Sequence, residues 1–417
     1  MKDKILERLT MGLDFILFFV ILICGVCFWD IKTLFDSNSW ILNLLSIAFP
    51  AGILHIINQY VLSPLIYILT IYIKHSIGRN IYYKKHYTAV ISKAVNWLVS
   101  CNVHWGVENR SATEQNVNTC EGLLAIRAAG LQQEKSAIYK KAFQTVLSNM
   151  TDSGLPSKSL HRPTVVCTSM LLDLVAKERD NPCGILIDYD RFEKIACTLW
   201  NARSQKSGWG IYITKAKENE CSLANTYWAL RALSQYEVGR SDEFREYLKL
   251  IYQHSYQSTF GFHHGDSPRL ITTAMYLNLY YCIDSTLQNA LAVTYDPKKA
   301  LEFVYDSFVT NNVQIENETL YGVKVDKTPG PIKAPWQHIT AGYALDVLLT
   351  ATYNRVLSLP KRNLLFIKIN KLIRNDVKSD GAGRCYYLPQ NIEHCNTGIF
   401  TYPTAYFVLG LGRINIF

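Results

Sequence analysis

The chain has 417 residues, 49% of them hydrophobic, with eleven cysteines and a formal net charge of +9. That length accommodates one large domain plus an appendage. The cysteines show no paired spacing, which argues against a disulfide framework and fits a reducing compartment where they serve as small apolar residues.

The appendage comes first. Residues 13–28 are nearly continuous hydrocarbon, interrupted by Asp14 and Gly25, and 40–73 is a second apolar stretch broken at Pro50, at His55 to Gln59 and at Pro64. A bilayer core takes about 20 apolar residues per helix. The first run therefore predicts one span, and the second predicts a span near 40–57 followed by a helix in the interface. No small-residue cleavage site follows the first run, which counts against a signal peptide. Lys2, Lys4 and Arg8 precede the spans and Lys74, Arg79, Lys84 and Lys85 follow them, whereas the loop between carries Lys32 beside Asp30 and Asp36. The positive-inside rule then predicts a multi-pass protein of the inner (cytoplasmic) membrane with both ends facing the cytoplasm. Within the second span His55 and Gln59 fall one turn apart on a helical face, and polar side chains in a span pack against protein or water rather than lipid. The expected domains are membrane helices in 1–75 and a cytoplasmic domain in 76–417.

That domain is repetitive. Thr119, Cys167, Asn225, Thr272, Thr340 and Thr404 are each followed five residues later by a leucine, Leu124, Leu172, Leu230, Leu277, Leu345 and Leu409. A small polar residue opening an apolar helix reads as an N-cap. Upstream lie glycines read as turns, Gly106, Gly154, Gly208, Gly261, Gly322 and Gly383, and upstream again apolar residues at helical spacing near 95–99, 142–147, 192–200, 247–252, 301–308 and 364–373. Outer helix, turn and inner helix form a unit that cannot bury its apolar face alone, so units must stack or close. The leucine column repeats at roughly fifty to seventy residues, longer and less regular than the about 33–47 of open helical solenoids. An all-α (α/α)6 toroid is the expected fold.

Residues 1–73 hold four basic and five acidic side chains, so the remaining chain carries +9 + 1 = +10. A basic domain at a membrane points to anionic headgroups or to an anionic ligand such as a nucleotide or nucleic acid. The loops preceding inner helices supply the candidate ligand residues: His161, Arg162, Lys215, His263, His264, Arg269, Lys333, Trp336, His338 and Arg384. Arginine forks hold phosphate bidentately and tryptophan stacks on a base. His263, His264 and Asp266 are also metal-ligand types, but adjacent residues of an extended segment point to opposite sides, and no third ligand accompanies them.

The segment Ser-Gly-Trp-Gly-Ile-Tyr at 207–212, continuing into the apolar run 222–233, resembles the repeats of squalene and terpenoid cyclases and of protein prenyltransferase β-subunits. The resemblance covers roughly 85–417, is carried by this third unit, and implies the α/α toroid of those families. Their Asp-x-Asp-Asp and Asp-Asp-x-x-Asp motifs are missing. Asp188 and Asp190 come nearest but open an outer helix, where carboxylates complement the dipole. His338 matches the position of a zinc-binding histidine in the prenyltransferases without the Asp-x-Cys partner. No catalytic residue, metal or cofactor is therefore expected. The layout of membrane helices joined to such a domain resembles bacterial anti-phage (Hailong-type) effectors, whose terpenoid-cyclase-like domain is held in check by a DNA oligomer. This implies a sensor whose ligand controls a channel or membrane disruption; two spans cannot enclose a pore, so a homo-oligomer is implied too. Two alternatives stand beside it. One is a membrane-bound enzyme on an isoprenoid lipid, with Tyr227, Trp228, Tyr276, Tyr343, Tyr406 and Phe407 lining a cavity. The other is a carbohydrate-active toroid using Glu114 or Glu220 with Glu393.

Overall fold

A computed structural model describes residues 84–100, 116–157, 162–323, 332–354, 356–377, 379, 381 and 401–413, with strand residues 319–323 and 332–337 described by their backbone. The chain divides into two compact units, Met1–Lys84 and Lys85–Phe417. The expected membrane hairpin, with His55 and Gln59, lies outside the described residues; among these, no helix is long and apolar enough to cross a membrane.

Helices alternate between two layers. The outer layer holds α1 (Lys84–Ser100), α3 (Ser136–Ser148), α5 (Tyr189–Asn201), α7 (Asp242–Tyr252), α10 (Pro297–Tyr305) with a π-turn over Asp306–Thr310, and α12 (Leu359–Asp376). The inner layer holds α2 (Asn116–Ala128), α4 (Val165–Asp180), α6 (Leu223–Leu233), α8 (Leu270–Cys282), α11 (Thr340–Tyr353) and α13 (Thr401–Leu411). A short α9 (Ser285–Leu291) lies between α8 and α10. Consecutive inner helices pack on one another, and α13 packs back on α2. The ring of inner helices is closed, so the described domain is an (α/α)6 toroid. The outer layer also meets itself, because Tyr87 of α1 hydrogen-bonds Asn370 and stacks on Phe366 of α12.

The two layers differ in pattern because they differ in environment. Outer α7 buries Phe244, Tyr247, Leu248, Ile251 and Tyr252, a single stripe at spacings of three and four. Inner α8 is buried at every position from Leu270 to Leu279, since it meets a helix on three sides and the axis on the fourth. Each outer helix returns the chain, so all six inner helices run in the same direction and their N-termini share one end of the ring.

The turn between layers is fixed by one recurring device. Gly154 and Gly208 adopt positive φ (131° and 97°), and a Cβ on either would strike the hydroxyl of Thr168 or Thr226, at 2.5 and 1.9 Å. Those hydroxyls accept from the next backbone amide, Leu155 N and Trp209 N, at 2.9 and 3.0 Å. Thr273 repeats the contact with Phe260 N at 3.0 Å. The indole of Trp209 then lies fully buried, donating to Leu199 O at 2.7 Å and packing edge-on against Tyr247. An aromatic so placed stabilises by about 1.5–3 kcal/mol.

Two sequence expectations are corrected. The polar starters are not the caps: Thr164 caps α4 and Ser222 caps α6, each three residues before Cys167 and Asn225, while Arg269 and Ile339, the residues just ahead of α8 and α11, make no side-chain cap. Gly322 is not a turn. It lies in β3 (Ile315–Val323), which pairs antiparallel with β4 (Ile332–Ile339) in a hairpin ahead of α11. A second two-residue ladder joins β1 (Pro156–Ser157) to β2 (Arg162–Pro163). Asp188 does cap α5, accepting from Arg191 N at 3.2 Å.

At the C-terminal end of the ring, polar links tie each inner helix to the next. Arg127 of α2 pairs with Glu178 of α4 at 2.6 Å, and Asp173 of α4 with Arg231 of α6 at 3.3 Å. Tyr227 of α6 donates to Asn278 of α8 at 3.1 Å, Asn278 donates to Asp346 of α11, and Asp346 pairs with Arg413 just beyond α13. Lys177 and Gln235 complete the surroundings of Asp173, whose carboxyl is held well below the usual carboxylate range by the lysine and arginine in spite of burial. Between α13 and α2 the closure is steric, Gly412 lying so close to Ala128 that a Cβ would be 2.8 Å from its carbonyl oxygen.

Candidate ligand site at the mouth of the ring

The opposite end, where the inner helices begin, is the mouth. A helix start leaves amides without intrahelical acceptors. Here neighbouring loops supply them: Val165 N donates to Ile211 O at 2.8 Å and Leu223 N to Phe262 O at 2.7 Å. At α8 the hairpin takes over this task, and the carboxylate of Glu316 accepts from both Leu270 N and Ile271 N, at 2.8 and 2.9 Å. Burial pushes the Glu316 carboxyl up, although those amides, Arg269 and His338 all favour its charged form.

The next inward-facing residue of β3 reaches α6. Glu318, 3% exposed, accepts from the Ser222 hydroxyl at 2.5 Å and meets His338 Nε2 at 2.8 Å. His338 stacks on Phe262 at 5.3 Å, and the Arg269 guanidinium lies 5.9 Å from the same ring. The α8 side of the mouth thus carries two carboxylates and the cations that answer them.

The α4 side is different. Segments 162–164 and 212–213 run antiparallel, through a Thr164–Tyr212 bridge and the Ile213 N to Pro163 O bond, and the second segment leads on to Lys215. Arg162 is exposed with its guanidinium 5.9 Å from the Tyr212 ring, Lys215 is exposed, and neither has an ion pair among the described residues. Lys215 also lines a cleft of about 500 Å³ with Arg203, Glu243 and Tyr247. In that cleft Arg203 lies 3.5 Å over the Trp200 ring and pairs with Glu243.

The two adjacent histidines diverge. His263 Nδ1 lies 2.9 Å from Cys221 O at the mouth, whereas His264 turns outward to Ser207 O at 3.0 Å and to the ring of His254. Burial depresses the His264 pKa. No group of three metal-ligating side chains occurs among the described residues. The structure therefore brings Arg269 to His338 through Phe262, whereas Arg162 meets the Tyr212 ring and Lys215 lines the cleft with Glu243 and Glu246. His161 and Arg384, and the side chains of Lys333 and Trp336, lie outside what is described, as do Glu114 and Glu393.

Sequence reasoning missed Glu121. It sits one turn and a half into α2, 6% exposed, with Asn118 Nδ2 donating to it at 2.9 Å and the Tyr406 hydroxyl hydrogen-bonded to it from α13. Burial is the main cause of a pKa raised to about 7. The available signal was a lone carboxylate inside an otherwise apolar inner-helix segment.

No family model matches the chain, and no curated protein matches it. Among solved structures, the type II terpene cyclase MstE from Scytonema, in complex with merosterolic acid A, is similar with a TM-score of 0.49 at 13% identity, covering 80% of this chain and 98% of that one. A possible member of glycoside hydrolase family 105 from Salmonella enterica serovar Paratyphi A gives 0.46 at 14% identity, covering 80% of this chain and 95% of that one. A family 105 glycoside hydrolase from C. acetobutylicum gives 0.45 at 12% identity, covering 79% and 99%. The toroid assignment rests on the ring's own closure.

Proposed function

We propose that the toroid is the sensing domain of a membrane-anchored effector, and that its mouth takes an anionic ligand, a nucleotide or single-stranded oligonucleotide, on the α4 side. The observation that carries this is Arg162, an exposed cation over the Tyr212 ring with no ion pair among the described residues, on an antiparallel pair of segments whose second strand leads into the exposed Lys215. Arginine with an aromatic face suits phosphate and a stacked base. Ligand occupancy is read out by the N-terminal segment in the cytoplasmic membrane, as part of a homo-oligomer. The layout resemblance to anti-phage effectors supplies the role in bacterial defence.

The test is fluorescence anisotropy of a labelled single-stranded oligonucleotide against the full-length protein over a salt titration. Arg162→Ala with Lys215→Ala is expected to weaken binding and to lower the salt slope by about 0.7 per phosphate contact removed. Arg269→Ala is expected to do less, because its charge already faces Glu316. Unchanged binding by the double variant at every salt concentration would remove the reading.

A second reading, an enzyme on an isoprenoid lipid, is favoured by one feature, the protonatable Glu121 beneath Tyr406. Turnover of a polyprenyl substrate that is lost in Glu121→Gln would put it first.

A further inference from the structure

Glu121 is a buried carboxylate that nothing at the mouth explains. Its hydrogen-bond partners are Asn118 and Tyr406, and no cation acts on it among the described residues. The geminal oxygen of Asn118, Oδ1, is itself buried without a partner. Tyr406 is hydrogen-bonded in turn to Tyr343 of α11, the two rings 4.8 Å apart. Cys120 and Cys167 stand close enough to interact with Glu121 electrostatically, and Glu318 with Tyr343. Three helices therefore bring acceptors and aromatic rings to one place on the inner wall, with no positive group among the described residues.

A closed ring of six helices leaves room on its axis. Neighbouring helix axes lie about 8–10 Å apart, and six in a closed ring stand the same distance from the centre. A helix with its side chains has a radius of about 5–6 Å, which leaves an axial hollow a few ångströms in radius for whatever the wall does not fill. The third residues of α2, α4, α6 and α8 are Asn118, Cys167, Asn225 and Thr272, and Asn225 Nδ2 and Thr272 Oγ1 are also buried without partners.

An uncompensated carboxylate, a spare amide oxygen and two tyrosine rings are complementary to an organic cation. Ring faces attract ammonium groups through their quadrupole, most strongly when water is excluded. A buried charge is costly unless paired, and an alkylammonium pairs it without requiring hydration of its own methyl surface. We propose that the axial hollow beside Glu121 binds an organic ammonium, with Glu121 as the counter-ion, Tyr343 and Tyr406 as the aromatic wall, and Asn118 Oδ1 as an acceptor. This site is separate from the rim cations and does not depend on the anion reading.

Of the titratable groups around Glu121, the Cys120 and Cys167 thiols and the Tyr343 and Tyr406 hydroxyls stay neutral near pH 7, because burial raises all four, Cys167 to about 12; Glu318, which acts on Tyr343, is itself met by His338. Only the carboxylate form of Glu121 attracts a cation, so its protonation near 7 sets the pH dependence.

The experiment is isothermal titration of the full-length protein in a non-ionic detergent with choline and with its neutral isostere 3,3-dimethyl-1-butanol, at pH 6 and pH 8. Choline is expected to bind at least about tenfold more tightly than the isostere at pH 8, and about tenfold more weakly at pH 6 than at pH 8, which follows from a group titrating near 7. Glu121→Gln, isosteric and uncharged, is expected to abolish both differences; the pH step in the unaltered protein tests the idea without any variant. Absence of choline binding, equal binding of the two compounds, or a preference for choline that survives Glu121→Gln would each overturn it.

Discussion

Replacing Arg127 with methionine is expected to lower the unfolding free energy of the toroid by about 3–5 kcal/mol, because it leaves Glu178 as an unpaired buried charge. The side chains of Arg127 and Glu178 are 6% and 0% exposed, so water cannot take over the lost partner. Arg127 also donates to Tyr139 at 3.0 Å and to Lys177 O and Asn181 O, two carbonyls at the end of α4 that have no helical donor. The pair is the first link of the polar chain that joins the inner helices, so its loss acts on the α2 to α4 contact rather than on one helix. Urea titration followed by far-ultraviolet circular dichroism measures the effect. The double replacement Arg127→Met with Glu178→Leu is expected to recover most of the loss, since an apolar pair of similar volume removes the desolvation penalty along with the attraction. A loss in Arg127→Met of less than about 1 kcal/mol would place the pair with surface ion pairs in weight.

Glu316→Ala is expected to cost about 2–4 kcal/mol, since it strips the acceptor from two buried amides at about 1–3 kcal/mol each. The affected amides, Leu270 and Ile271, open α8, so their hydrogen exchange is expected to accelerate before global unfolding does. Glu316→Gln keeps one acceptor oxygen and is expected to lose less. It also fixes the sign of a pH effect. The folded-state pKa of Glu316 is raised, so the native protein holds more of this proton than the unfolded chain between the two values. Its contribution is full below the unfolded value and is lost as pH rises through the folded one. The unaltered protein is therefore expected to gain on Glu316→Gln as pH falls from 8 to 5, and a constant difference over that range would show that burial does not shift the group.

The repeat was legible in the sequence to the level of single helices. Each of the six outer segments expected from apolar spacing lies in an outer helix, and each leucine of the regular column lies in an inner one. Helical periodicity is a local property, and alternation of one-sided with all-round apolar helices states how many neighbours each must have. The caps were displaced by three residues because Asn225 and Thr272 are polar for a different reason: both lie inside their helices with buried polar atoms that find no protein partner. Composition shows that a residue is polar at a helix start, and geometry shows which atom it meets.

Gly322 was misread because glycine ahead of an inner helix marks a turn in two other units, at Gly154 and Gly208, and nothing in its immediate neighbours distinguishes a hairpin strand from a loop. That hairpin is what brings Glu316 and Glu318 to helices that begin 46 and 96 residues earlier in contact terms, at Leu270 and Ser222. The candidate anion residues were legible as types, and tertiary structure separated them: Arg269 is answered by Glu316 while Arg162 lies over the Tyr212 ring with no ion pair among the described residues.

The sequence by itself determined the helices, their alternation between a one-sided and an all-round apolar character, and thereby the closed ring, because burial of apolar area is additive along the chain and needs no particular partner. Tertiary structure alone decided which carboxylate ends at backbone amides, as Glu316 does, which at a cation, as Glu178 does, and which, in Glu121, at neither. A charge is satisfied by whatever atom stands within about 3 Å of it, and in a closed ring that atom comes from a distant unit.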